Sequence, residues 1–309
     1  TSLYLHLLTM SISRVAIAGA TGNLGPAILT ALRSSKRFNV TVLTRTGSSH
    51  QFPADVTVKY VDYDNPAMLA EAVRGQDAVV STLSVFGSDV QKALVDASVT
   101  AGVKRFLPSE FGSSTENHKV QTIPIFGAKL QLQEYLKAKA QSYPTFTYSL
   151  LFCGPFLDWG LSTGMLVDIK NKSAVLRDGG NVLFSASRLS TVGQAVVGVL
   201  SHPSETANRA VYVKDIDVTQ HQIISAAKEI DPSGSWTIQE SQTAIEEQEA
   251  LSGLKSGQVD IGVISKFLFR AIFGEGYGGK FDKVDNELLG IERLNANGLR
   301  DVVQSVLNA

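Results

Sequence analysis

From Arg14 onward the chain alternates short runs of β-branched residues with stretches whose apolar positions recur every three to four residues. That alternation is the signature of βαβ units and a parallel sheet. RVAIAGA predicts the first strand. In the segment that follows, Leu24, Ile28, Ala31 and Leu32 share one helical face, and Pro26 stands in the first turn, where a missing N–H does no harm. NVTVLTR, VTVKYVDY, DAVVSTLS, VKRFLP and TFTYSLLF predict strands two to six. PAMLAEAVRG, SDVQKALVDASVTAG and, after Pro124, IFGAKLQLQEYLKAKAQ predict helices between them; Val90, Leu94, Ala97 and Ala101 mark the buried face of the second.

Beyond Cys153 the rhythm changes to GPFLDWG, glycine-interrupted strands around AVLRDGGNVLF, and helices without regular alternation. The expected fold is α/β: a Rossmann-type doubly wound parallel sheet over residues 10–155 and a smaller C-terminal α+β lobe over 156–309. RAVYVKD is β-like, so a strand near 210–214 is expected to return to the main sheet. DIGVISKFLFRAIFG is interrupted by Lys266 and Arg270 and suits a buried or pocket-covering helix better than a membrane span. Leu299, Val302, Val303, Val306 and Leu307 predict a final amphipathic helix.

A chain of 309 residues with 44% hydrophobic content can bury one large core. The net charge of −1 offers no footprint for nucleic acid and no polybasic patch for a membrane, so the expected partners are small molecules. One cysteine, Cys153, forms no internal disulfide and supplies no thiolate cluster, which points to a reducing, cytoplasmic setting. Residues 1–9, TSLYLHLLT, are apolar but too short to span a bilayer, and read as an extension before Met10.

GATGNLG joins a predicted strand to a predicted helix. Gly19, Gly22 and Gly25 are spaced for a tight turn, close backbone approach to a pyrophosphate and close helix packing, with the helix N-terminus facing the anion. Thr21, Asn23 and Leu24 complete the contacts around the phosphates. At the end of strand two stands Arg45, and no Asp or Glu lies between Asn39 and Pro53. A carboxylate there would select NAD; an arginine accommodates the extra phosphate of NADP. The expected cofactor is NADP(H). The five histidines show no metal-ligand spacing, and no metal is expected.

Together GATGNLG, Arg45, RFLPSEFG and Lys129 make the chain resemble the isoflavone reductase-like and NmrA-like families of atypical short-chain dehydrogenase/reductases. The resemblance implies that Ser109, Glu110 and Phe111 lie near the nicotinamide, that Ser81 and Thr82 flank the cofactor, that Asp62 sits near the adenine, and that Phe152 packs on the nicotinamide. It also implies that Lys129 is the catalytic lysine and meets the cofactor. An ammonium beside the substrate oxygen stabilises developing negative charge and relays a proton. Tyr135 and Lys139 carry the Tyr-x-x-x-Lys spacing of ordinary short-chain dehydrogenases, but Tyr135 stands about 9 Å beyond Lys129 along the helix, at roughly 1.5 Å per residue. With Lys129 as the active lysine, the tyrosine position is Ile125. His118 reads as a solvated loop residue.

After strand six, FCGPFLDWG departs from the plant reductases, so the substrate is not carried over from them. Phe156, Trp159 and Tyr277 are candidates for an aromatic-walled substrate pocket. The reading is an NADPH-dependent reductase of a small, aromatic molecule of phenolic, quinone or enone type. The alternative is an NmrA-like regulator that binds NADP(H) without turnover; an epimerase is disfavoured by Ile125.

Overall fold

The computed structural model describes residues 11–83 and 88–309. Residues 1–10, including the apolar extension, lie outside the described residues, as does the end of the DAVVSTLS segment.

Five strands follow the expected alternation: β1 (Arg14–Ala18), β2 (Asn39–Arg45), β3 (Thr57–Val61), β4 (Ala78–Ser81) and β5 (Arg105–Leu107). The helices among them are α1 (Gly25–Ser34), α2 (Pro66–Val73), α3 (Ser88–Thr100) and the single turn α4 (His118–Gln121). A 3₁₀ turn, Pro124–Phe126, opens α5 (Gly127–Ser142), which leads into β6 (Thr147–Phe152). There follow α6 (Leu157–Ser162), β7 (Ser173–Arg177), β8 (Phe184–Ala186), α7 (Leu189–Ser201), β9 (Arg209–Tyr212), β10 (Ile216–Val218) and α8 (Gln220–Ile230). The chain ends with β11 (Thr237–Ser241), α9 (Thr243–Lys255), α10 (Ile261–Phe273) and α11 (Ala296–Asn308).

The main sheet has seven strands in the order β3-β2-β1-β4-β5-β6-β9, and every pairing in it is parallel. Its central strands are buried on both faces, which is why they read as continuous apolar runs rather than alternating ones. The strand order reverses between β1 and β4, so the loops after those two strands diverge and leave a crevice at their carboxyl ends. β9 completes the sheet beside β6, with Ser149 opposite Arg209 and Phe152 opposite Tyr212. The returning strand thus ends at Tyr212, while Val213 and Lys214 lie beyond it.

One face of the sheet is covered by α1 and α7, whose Ile28, Leu32, Val192 and Val196 share a core with Val15, Ile17 and Leu151. The other face carries Leu69, Leu94, Leu132 and Leu136 against Ala16, Phe106 and Leu150. A second core lies apart from the sheet, built from Leu157, Phe184, Ile223, Phe273 and Val303. Here β8 pairs with β10 antiparallel, and β7 pairs with β11 in parallel. The two glycine-interrupted strands of AVLRDGGNVLF therefore pair with different partners rather than with each other. Among the described residues no helix is long and apolar enough to cross a membrane.

Candidate active site

The β1–α1 turn is built so that backbone, not side chain, faces the crevice. Gly19 has φ +88°, a left-handed conformation that favours glycine, and a Cβ there would fall 2.6 Å from Thr82 Oγ1. At Gly25 a Cβ would fall 2.2 Å from the Gly19 carbonyl oxygen, so only glycine lets α1 start against the loop. Thr82, just past β4, clamps the turn by donating to the carbonyls of Ala18 at 3.0 Å and Gly19 at 2.8 Å. Ser81 beneath it is fully buried and its hydroxyl lacks a hydrogen-bond partner, so it underlies the crevice without bordering it.

Two hollows flank this turn. The first, about 330 Å³, is bordered by Gly19, Thr21, Thr44, Arg45, Phe52 and Tyr63, with Leu83 and Val90 closing its far side. Burial pushes the Tyr63 phenol up to about 12, against the opposing pull of the Arg45 guanidinium. Asp62 does not border this hollow. It is exposed, and its carboxylate accepts from the Asp64 N–H at 3.0 Å in the turn before α2; the neighbouring Tyr63 faces the hollow instead.

The second hollow, about 440 Å³, is bordered by Gly22, Asn23, Leu24, Thr82, Leu83, Ser109, Glu110, Phe111, Lys129 and Phe156. Leu83 borders both, so the two lie side by side as a cleft across the switch point. The tight loop after β5 shapes this end. The Glu110 N–H donates to the Pro108 carbonyl at 2.8 Å, and Phe111 is held at φ +23°, a strained conformation for a residue with a Cβ. The Gly112 carbonyl then accepts from the N–H groups of Cys153 and Gly154, which fastens the loop to the end of β6.

Glu110 is only 1% exposed. Its Oε1 accepts from Gln133 Nε2 at 3.0 Å, its Oε2 has no hydrogen-bond partner, and Lys129 Nζ stands 3.8 Å from that oxygen. The same ammonium donates to the Glu110 carbonyl. One carboxylate and one ammonium, nearly dry, thus meet at the edge of the cleft.

A third cavity, about 530 Å³ and largely apolar, opens beside them. It shares Phe111 and Phe156 with the cleft, and adds Ser113, Trp159, Met165, Leu268, Phe269 and Ile272. Phe156 and Trp159 thus line the same cavity.

Two aromatic residues stand elsewhere than expected. Phe152 is fully buried; strand alternation sends it to the same side as Tyr148 and Leu150, where it packs on Tyr212 with ring centres 5.2 Å apart. Tyr277 is folded back by the turn after α10 against Val120, Ile123 and Phe126, with Arg270 4.5 Å from its ring centre. Neither borders the cleft or the apolar cavity.

The Tyr135–Lys139 pair is likewise remote. Tyr135 donates to Asp96 Oδ1 at 2.6 Å, and Lys139 pairs with the same carboxylate at 2.6 Å. His118 is exposed. Cys153 is buried, and burial pushes its thiol up to about 12, so it is a packing residue rather than a nucleophile.

The NmrA-like family model matches residues 11–231, most of the chain. The chain belongs to the NmrA-like family. Curated relatives of this NmrA-like protein include oxidoreductase aprR of Aspergillus flavus, 30% identical over 298 residues that span 95% of this chain and 98% of the relative. Phenylcoumaran benzylic ether reductase PT1 of Pinus taeda is 28% identical over 215 residues, covering 65% of this chain and 69% of that one. Among solved structures, the binary complex of leucoanthocyanidin reductase with NADPH from Vitis vinifera superposes with a TM-score of 0.77 at 17% identity, covering 96% of this chain and all of that one. That likeness shows the shared fold.

Sequence reasoning missed Phe52 and Tyr63 as walls of the first hollow. Phe52 lies on a loop with no periodic signal, and Tyr63, the end of the VTVKYVDY run read as strand, stands just past β3. The segment read as a buried or pocket-covering helix is α10, which lines the apolar cavity; which of its residues meet that cavity required the fold.

Proposed function

We propose that this NmrA-like protein is an NADPH-dependent reductase of a small, uncharged, largely aromatic substrate. The observation that carries the reading is the position of Lys129, whose side chain borders the switch-point cleft together with Phe111 and Phe156, the two residues that the cleft shares with the apolar cavity. Either a phosphate-bearing dinucleotide or an apolar molecule alone would need only one of these spaces; a hydride transfer needs both, joined at a polar group.

The residues present fit the cofactor. Leu24, at the start of α1, provides no side-chain cap; Pro26 has no N–H and the Ala27 N–H already donates to the Leu24 carbonyl at 3.1 Å, so the Gly25 N–H is the one that the first turn leaves for a pyrophosphate. A Cβ on Gly22 would meet only the Gly19 carbonyl oxygen at 3.6 Å, so this glycine leaves the backbone open toward the cleft. Arg45 makes no ion pair or side-chain hydrogen bond among the described residues, which leaves its fork for the 2′-phosphate, with Tyr63 and Phe52 beside the adenosine. NADPH, when bound, supplies the hydride.

Lys129 then holds a proton at the substrate oxygen, and Glu110 keeps the ammonium on the wall of the cleft. Phe111 and Phe156, common to both spaces, exclude water from between them. In this reading residues 10–155 with the returning strand β9 hold the cofactor, and the remainder of the chain encloses the substrate. The sole cysteine, buried and unreactive, suits a reducing cytoplasmic setting.

The test is NADPH consumption against a panel of phenolic, quinone and enone compounds. Steady turnover of any member supports the reductase. Tight NADPH binding with no turnover across the panel would replace it with a cofactor-sensing regulator.

A further inference from the structure

The apolar cavity has a direction. Ile261, Ser265, Leu268, Phe269 and Ile272 of α10 line it, a single face of the helix. From Ile261 to Ile272 that face runs about 16 Å, at roughly 1.5 Å per residue. Ile261 is 77% exposed and marks the mouth, while Phe111 and Phe156 mark the end shared with the cleft.

Among the described residues no Asp, Glu, Lys, Arg or His borders the cavity. The charges of α10 are committed elsewhere. Lys266 pairs with Glu249 at 2.6 Å, Arg270 with Glu247 at 3.0 Å, and Asp260 caps the helix by accepting from the Val263 N–H. Arg177, whose guanidinium carbon lies 3.3 Å from the Phe269 ring centre, pairs with Glu246 at 3.1 Å. An anionic ligand drawn along α10 would lose its hydration and meet no cation.

Among the described residues three hydroxyl side chains border this space. Thr163 is spent: its Oγ1 donates to the Trp159 carbonyl at 2.9 Å. Ser113 and Ser265 make no side-chain hydrogen bond to any described residue. A serine within a helix can bond back to the carbonyl four residues earlier, as Ser98 does to Leu94 at 2.7 Å and Ser252 to Gln248 at 2.9 Å. Ser265, like Ser225 and Ser305 in their helices, does not, and its place on the cavity wall gives that hydroxyl a ligand to meet.

We propose that Ser113 and Ser265 are the two hydrogen-bonding anchors of an elongated, neutral, otherwise apolar substrate. Ser113 holds its reacting half beside Phe111, and Ser265 holds its distal half one helical turn inside the mouth. The inference rests on the reductase reading only in calling the bound molecule a substrate.

Binding tests it without turnover. Trp159 lines the cavity, so its fluorescence, in the full-length chain carrying Trp236→Phe, reports occupancy. The probes are trans-stilbene, 4,4′-dihydroxystilbene and 4,4′-stilbenedicarboxylate, which share one shape and differ at both ends. The dihydroxy compound should bind tightest and the dicarboxylate at least about tenfold more weakly. Ser113→Ala and Ser265→Ala should each weaken the dihydroxy compound roughly twofold to tenfold, the usual range for a neutral hydrogen bond, and leave stilbene unchanged. The unchanged stilbene affinity also shows that the variants are folded.

A dicarboxylate that binds as tightly as the dihydroxy compound overturns the proposal. So does a loss of affinity equal for stilbene and the dihydroxy compound, or no binding of any probe. Failure of the reductase reading looks different: the anchors discriminate among the probes while no panel compound consumes NADPH.

Discussion

Lys129 Nζ stands 3.8 Å from Glu110 Oε2 while donating to the carbonyl of the same residue, so one residue holds the ammonium from both its backbone and its side chain. The lysine is 11% exposed and the glutamate 1%, which leaves little water to screen the pair. An ammonium fixed this way on the wall of the cleft is the group that the proposed reductase chemistry uses.

Replacement of Lys129 by alanine is expected to lower kcat by about a hundredfold to ten-thousandfold, the range for removal of general acid–base assistance. NADPH affinity should change far less, because the phosphate contacts proposed above belong to the β1–α1 turn and Arg45. Lys129→Arg should restore only part of the rate, since a guanidinium keeps its charge but does not readily release a proton. Single-turnover hydride transfer, measured beside NADPH titration for the three proteins, checks it. Unchanged transfer in the alanine variant would remove Lys129 from the mechanism.

NADPH should bind more tightly than NADH, and Arg45→Ala should abolish most of the difference. A lost charge-assisted contact costs about 1.5–3 kcal/mol, or roughly tenfold to a hundredfold in Kd. Calorimetric titration of both cofactors against both proteins decides the point; equal affinities in the unaltered protein would contradict it.

Tyr135→Phe should leave turnover within a few-fold of the parent protein. The hydroxyl it removes is bonded to Asp96 and borders neither the cleft nor the apolar cavity. A hundredfold loss in kcat would show that the ordinary tyrosine–lysine machinery operates here.

Asp77 ties the sheet together at its amino-terminal edge. Its carboxylate accepts from the N–H groups of Ser13 and Arg14, from the Ser13 hydroxyl, and from Lys104 at 2.9 Å. Burial pushes this carboxyl up, but the bond from Lys104 and those from Arg14 and Ser13 outweigh it and hold it at about 2. A carboxylate depressed below its unfolded value of about 3.9 adds stability that is complete above that pH and is lost as pH falls through about 2. Asp77→Asn should therefore destabilise the fold by about 1–3 kcal/mol at neutral pH. Urea unfolding of both proteins from pH 7 down to pH 2.5 should show the gap shrinking below about pH 4. A gap that stays constant across that range would refute the linkage.

The sequence alone determined the sheet and the phosphate end of the cleft, because both depend on local chemistry. Continuous β-branched runs, a glycine turn between strand and helix, and an arginine at a strand end carry their meaning within a few residues. It also determined the place of Lys129 in the chain, on the helix after PSEFG. The tertiary structure decided what no local pattern encodes. Asp62 and Tyr63 are neighbours, and only the packing of the turn decides which one faces the hollow. Phe152 and Leu151 stand one residue apart on a strand buried on both faces, where hydrophobicity does not say which side holds a ligand. Ser265 is one of several serines in helices, and its role follows from where α10 is carried, more than a hundred residues past Phe111, to lie along the same cavity. Tyr277 was as plausible a pocket wall as Trp159 by composition; the turn after α10 folds it against Val120, Ile123 and Phe126 instead. Residues brought together across long stretches of chain share no sequence signal, because their contact is a property of the fold.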